Sequence, residues 1–138
     1  MTHTELKQIW WPLRLTYGVV ALAAGLDKFL HLLTNWEAYV APWLAALAPG
    51  GAAGLMQAVG VVEMLVGVLI LTRWTSLGAY LASAWLLAIA FTLLTAGFID
   101  IAVRDIAMSV GAWTLARITA LREPVSEVLE GAHSPAGA

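Results

Sequence analysis

Three ionisable residues fall within seven positions of Gly25-Leu-Asp-Lys-Phe-Leu-His31, inside otherwise apolar sequence. Asp27 and His31 stand one helical turn apart, where a carboxylate and an imidazole can hand a proton to a ligand near neutral pH. Ile99-Asp-Ile-Ala-Val-Arg-Asp105 supplies Asp100, Arg104 and Asp105, and Glu63 stands alone in a third apolar stretch. A charge in hydrocarbon costs ~2.5–3.5 kcal/mol even on the lenient insertion scale, so each group needs a partner or a cavity. Such a set can pin helices together, or it can line a pocket. A quinone headgroup suits the pocket, since its carbonyls take hydrogen bonds and its reduction takes up protons. Haem ligation by His31 would need a second chain. A metal held by Asp27, His31 and Glu63 lacks any ligand-spacing motif, so no metal is expected.

The elements that carry these residues belong in a bilayer. Of 138 residues, 61% are hydrophobic and only 12% charged, with a mean hydropathy of +0.83. Soluble domains carry about 25% charged residues. Spans of about 20 residues leave room for four with short connections. The formal charge of −2 gives no reason to expect nucleic acid as a partner. Without cysteine there is no disulfide, thiolate nucleophile or cysteine-held cluster.

The expected architecture is all-α: an integral membrane four-helix bundle with spans at about 11–33, 52–72, 75–98 and 101–121. Residues 1–10 form a polar lead and 122–138 a flexible acidic tail. Trp10-Trp11-Pro12 places indoles at an interface and a proline in a first helical turn. Leu15–Ala24 is apolar enough for a signal peptide, but Glu5 spoils its basic leader and the helical pattern runs on past the would-be cut.

At 100° per residue the first span divides into two faces. Leu15, Val19, Leu22, Leu26, Phe29, Leu30 and Leu33 form one. Arg14, Tyr17, Gly18, Ala21, Ala24, Gly25, Lys28 and His31 form the other, with Asp27 at its edge. The small and polar face is expected to pack on other helices. Gly60, Glu63 and Gly67 share a face of the second span. In the last, Arg104, Asp105, Met108, Ser109, Ala112 and Ala116 oppose Val103, Ile106, Val110, Trp113 and Leu121. Trp85, in the middle of the uncharged third span, is expected to serve packing. Between the first two spans, Trp36, Tyr39 and Trp43 at i, i+3 and i+7 can either cap the polar cluster or form an aromatic belt at headgroup depth, and the belt is favoured.

Four spans put both termini on one side with Lys7, Arg14, Arg73, Arg117 and Arg122, against Lys28 and Arg104 on the other. The positive-inside rule makes that side cytoplasmic. Asp27, Lys28, His31, Asp100, Arg104 and Asp105 then meet in the outer leaflet, where Arg104 is expected to pair with Asp27 and Lys28 with Asp105. Glu63 is expected deeper, and Arg14 deeper still.

Arg14, Gly25-Leu-Asp-Lys28, Gly60-Val-Val-Glu63 with Gly67, and Arg104-Asp105 resemble the DoxX-like family of small four-helix bacterial inner-membrane proteins, over residues 13–121. The longer phrase from Gly25 to Trp36, with Tyr39 and Pro42-Trp43, is similar to an uncharacterised branch of it. The resemblance implies a redox-associated membrane subunit, because some relatives are named for thiosulfate:quinone oxidoreductase. This chain lacks the soluble domain of the thiosulfate-oxidising type, so an accessory subunit is expected rather than an enzyme complete in itself. Its expected partners are the lipid bilayer, a redox partner protein and other copies of the same chain. A scaffold that recruits a partner, and a transporter using Glu63, are the competing functions.

Overall fold

The computed structural model describes residues 2–133, with side-chain surroundings given through Arg122. The elements are α1 (His3–Leu30), a 3-10 turn (Trp36–Tyr39), α2 (Pro42–Leu47), α3 (Gly51–Leu71), α4 (Thr75–Ala96) and α5 (Ile99–His133). The four long helices form a bundle, and among the described residues there is no strand. α1, α3 and α4 are long and apolar enough to cross a membrane. α5 is not among these three. Asp100, Arg104 and Asp105 at one end and Arg117 and Arg122 beyond the middle bracket its apolar run.

The bundle is built as two tight antiparallel pairs, α1 with α3 and α4 with α5. In the first pair backbone meets backbone. A Cβ at Gly25 would stand 2.6 Å from the Gly60 carbonyl oxygen, and one at Gly67 2.9 Å from that of Gly18. Glycines seven apart on each helix therefore form the seam, as close packing between membrane helices requires. In the second pair the seam is alanine and serine: Ala79, Ala82, Ser83 and Ala90 against Ala102, Ser109, Ala112 and Ala116, all buried. Ser83 Oγ donates to the Ser109 carbonyl at 2.9 Å, and Ser109 Oγ returns a bond to the Ser83 carbonyl at 3.0 Å.

The pairs are joined by Tyr17, whose hydroxyl donates to the Met108 carbonyl at 2.7 Å, and by Trp10, whose indole donates to Thr119 Oγ1 at 2.8 Å. Trp10, Val66, Ile70, Ala79, Ala82, Ala112, Leu115 and Ala116 make the main core cluster. Outside it, each long helix shows an exposed apolar stripe: Leu15 and Val19, Leu65 and Val68, Leu87 and Phe91, Val103 and Val110. These stripes suit contact with lipid.

Three boundaries differ from the sequence reading. α1 begins at His3 rather than residue 11, because Thr2 caps it and Glu5 returns the bond in a capping box. Pro12 thus lies inside the helix rather than in its first turn. An interior proline costs roughly 3 kcal/mol in isolation; the segment before it is anchored by the buried Leu6 and Trp10. α1 also ends at Leu30, not residue 33, for a reason given below. α5 continues through His133, so the helix covers most of the tail expected to be flexible; residues 134–138 lie outside the described residues.

Candidate functional site

The glycine seam sets the site. Lys28 and Glu63 each stand one turn after a seam glycine, Gly25 and Gly60 respectively. Helical side chains lean toward their own N-terminus, so on antiparallel helices these two lean toward each other. Lys28 Nζ meets Glu63 Oε2 at 2.6 Å, with Lys28 only 4% exposed. The Glu63 backbone lies about one turn deeper along the bundle than that of Lys28, the two side chains meeting between, and Lys28 pairs with Glu63 in place of Asp105.

Asp27 does different work. His31 ends α1 in the left-handed conformation, φ 55° and ψ 38°, and donates its N–H to the Asp27 carbonyl at 2.7 Å. The Asp27 carboxylate then takes the next two amides, Leu32 at 2.9 Å and Leu33 at 3.1 Å, and the Trp36 indole N–H at 2.8 Å. By capturing these donors it stops the helix at Leu30 and turns the chain. No glycine is needed at the turn because the carboxylate holds it. Asp27 is thus committed to its own loop, and the expected Arg104–Asp27 pair is not formed.

Trp36 links the two groups. Its ring centroid lies 3.9 Å from Lys28 Nζ while its N–H serves Asp27. Lys28 is accordingly held between a carboxylate and an indole face, a desolvated cation–π arrangement. The other two aromatic residues of the connecting segment reach the end of α4 and the turn that follows it. Tyr39 packs edge-on against Phe98 at 5.1 Å, and the Trp43 indole donates to Thr95 Oγ1 at 2.9 Å. Ala41 between them is fully buried. The segment is a strap fastened across the end of the bundle.

α5 brings Asp105 to this level. The residue is buried, and its carboxylate is close enough to act electrostatically on Lys28 and Glu63. Its ion pair among the described residues is a loose 3.6 Å contact to Arg104 Nε, longer than a hydrogen bond. Arg104 itself is 66% exposed at its side chain. Asp100 is exposed in the first turn of α5.

His31 is also exposed. It lines an open depression of about 300 Å³ with Thr34, Asn35 and Glu37. It is one turn from Asp27 in sequence, but the Asp27 carboxylate bonds to the Leu32 and Leu33 amides and the Trp36 indole rather than to the imidazole. Arg14 lies at the opposite end of the bundle. There its guanidinium donates to the Ile70, Leu71 and Thr72 carbonyls at 3.0, 2.6 and 3.1 Å, closing the C-terminus of α3.

Of the residues expected at the site, Lys28, Glu63 and Asp105 come together, Asp27 supports them through Trp36, and His31, Arg104, Asp100 and Arg14 lie elsewhere. Among the described residues no three potential metal ligands gather. Trp36 is the site residue that charge counting overlooked. Its signal was present in the i, i+3, i+7 aromatic spacing. The arrangement can hold charge in an apolar surrounding and, through the carboxylate of Asp105, accept hydrogen bonds from a guest. No protein-family model, curated protein or solved structure matches this chain.

Proposed function

We propose that this is a DoxX-like integral protein of the bacterial inner membrane, serving as an accessory, ligand-binding subunit of a quinone-linked redox system. α1, α3, α4 and α5 are its four spans in this reading, with both termini cytoplasmic. The observation that carries it is the buried Lys28–Glu63 pair with Asp105 beside it. Intramembrane charges are costly and tend to mark ligand or proton sites. Asp105 adds an acceptor that its neighbours leave underused, and such an acceptor suits a ligand with a hydroxyl to donate, as the reduced form of a quinone has. The family resemblance points the same way, since Gly25-Leu-Asp-Lys28, Glu63 and Arg104-Asp105 are the residues that carry it.

The test is to purify the full chain from native membranes in mild detergent and identify what accompanies it by mass spectrometry. A bound quinone, lost in Glu63→Gln and Asp105→Asn proteins that remain folded, is the expected result. Quinone-free protein accompanied by a stoichiometric partner would instead support a scaffold. One observation favours that second reading: Trp36, from the strap, lies over Lys28 while Glu63 pairs with it, so both of its neighbours come from this chain.

A further inference from the structure

The end of the bundle opposite the charged cluster gathers arginines around indoles. Arg14 Cζ lies 4.8 Å from the Trp10 ring centroid and 5.3 Å from that of Trp11. Arg122, on α5, brings a second guanidinium to the same Trp10 ring at 3.9 Å. Arg73, on the α3–α4 turn next to the carbonyls that Arg14 holds, stacks 4.6 Å from Trp74. Arg14 and Arg122 are near enough to feel each other's charge.

Among residues 2–122, whose side chains are described, no carboxylate pairs with these three cations. The ion pairs there, Lys28–Glu63 and Arg104–Asp105, belong to the other end, and Glu5 is engaged with the amide of Thr2. Arg122 Nε is buried and meets no acceptor among residues 2–122. Two guanidiniums sharing one indole at the edge of an apolar slab repel strongly unless an anion sits with them. Trp11 and Trp74, both exposed, present indole faces beside that charge. Rings of this kind settle at the headgroup boundary, where phosphate and ester groups lie.

We propose that this end binds the headgroup of an anionic phospholipid, its phosphate seated between Arg14 and Arg122 with Arg73 adding to the local field. The exposed indoles make a lipid the better fit than a free anion, because they offer an apolar surface level with the charge. This site is remote from Lys28 and Glu63 and stands whether or not the redox reading holds.

Native mass spectrometry of the full chain, titrated with phosphatidylglycerol or phosphatidylcholine, tests it. Each arginine near an anionic headgroup contributes about a five-fold gain in binding. The expected result is a first phosphatidylglycerol held roughly ten-fold or more tightly than phosphatidylcholine. Arg122→Gln should reduce that preference about five-fold, and Arg73→Gln, an exposed residue whose loss leaves packing intact, should reduce it by a smaller factor. Equal binding of the two lipids, or an unchanged preference in both variants, overturns the proposal. So does displacement of the lipid by inorganic phosphate at comparable affinity, which would identify a site for simple anions.

Discussion

The α1/α3 seam and the α4/α5 seam meet the same demand with different residues. Both bring antiparallel helices close in a setting where apolar side chains gain nothing by leaving lipid for each other. The first uses glycine and places the Lys28–Glu63 pair beside the glycines. The second uses alanine and joins two serines through reciprocal bonds to backbone carbonyls, with no charge at its centre. Glycine lets the backbones approach to contact, so a lysine and a glutamate one turn on can reach each other. Alanine keeps the helices slightly apart and leaves room for a hydroxyl on each. The charged seam is also the one the strap covers, through Trp36.

Gly60→Leu should break this contrast most severely. Its Cβ would lie 2.7 Å from the Gly25 carbonyl oxygen, and backbone cannot step aside as a side chain does. Ordinary overpacking costs about 1–3 kcal/mol, and here the expected outcome is no folded protein. Size-exclusion profiles and helix content in detergent would check it; a monodisperse, stable variant would mean that the α1/α3 pair is not held at backbone contact.

Next in size is Lys28→Met, which leaves Glu63 buried without its cation. Breaking such a pair from one side costs about 3–5 kcal/mol. Adding Glu63→Gln should restore much of that loss, because the stranded charge is removed with its partner. Unfolding curves of the three proteins in mixed detergent give the comparison. If the double variant is as unstable as the single one, Glu63 is not the group that Lys28 serves.

The contrast between the seams also explains which parts were legible from sequence. Helical periodicity separated Leu15, Val19 and Val110 from Gly18, Gly25 and Ser109 correctly, because a lipid-facing stripe and a small-residue stripe differ at every turn. Lys28, Glu63 and Asp105 were recognised as inward for the same reason. Their pairing was not, because pairing depends on helix order and level, and two neighbouring charges such as Arg104 and Asp105 can face opposite ways. Asp27 was misread because a carboxylate near a helix end can serve the backbone instead of a side chain, a choice set by the chain turning just beyond it. The early start of α1 was likewise written in Thr2 and Glu5, but hydropathy, which finds spans, is blind to a helix that extends past the apolar slab.

In the neutral seam, Ser83→Ala should cost about 1 kcal/mol or less. The Ser83→Ala/Ser109→Ala pair should cost less than twice that. Each serine is the other's polar neighbour, and removing both leaves no hydroxyl wanting a partner. A double-mutant cycle in the same detergent system reads the difference directly. Strict additivity would show that the two hydroxyls act only on backbone carbonyls, without help from each other.

Arg104→Ala is the smallest effect and the one that sharpens the comparison most. Counting charges in the sequence makes Arg104 the natural partner for a buried acid. Its guanidinium is instead mostly exposed, and its 3.6 Å contact with Asp105 is the kind of pair that contributes little at a surface. Stability of Arg104→Ala should therefore match wild type within experimental error, whereas Lys28→Met does not. If Arg104→Ala proves as damaging as Lys28→Met, then Asp105 depends on Arg104 and the charged cluster extends across α5 to the outside. If it is neutral, the cluster closes at Asp105, and whatever completes the hydrogen bonding of that carboxylate must come from within the bundle or from a ligand.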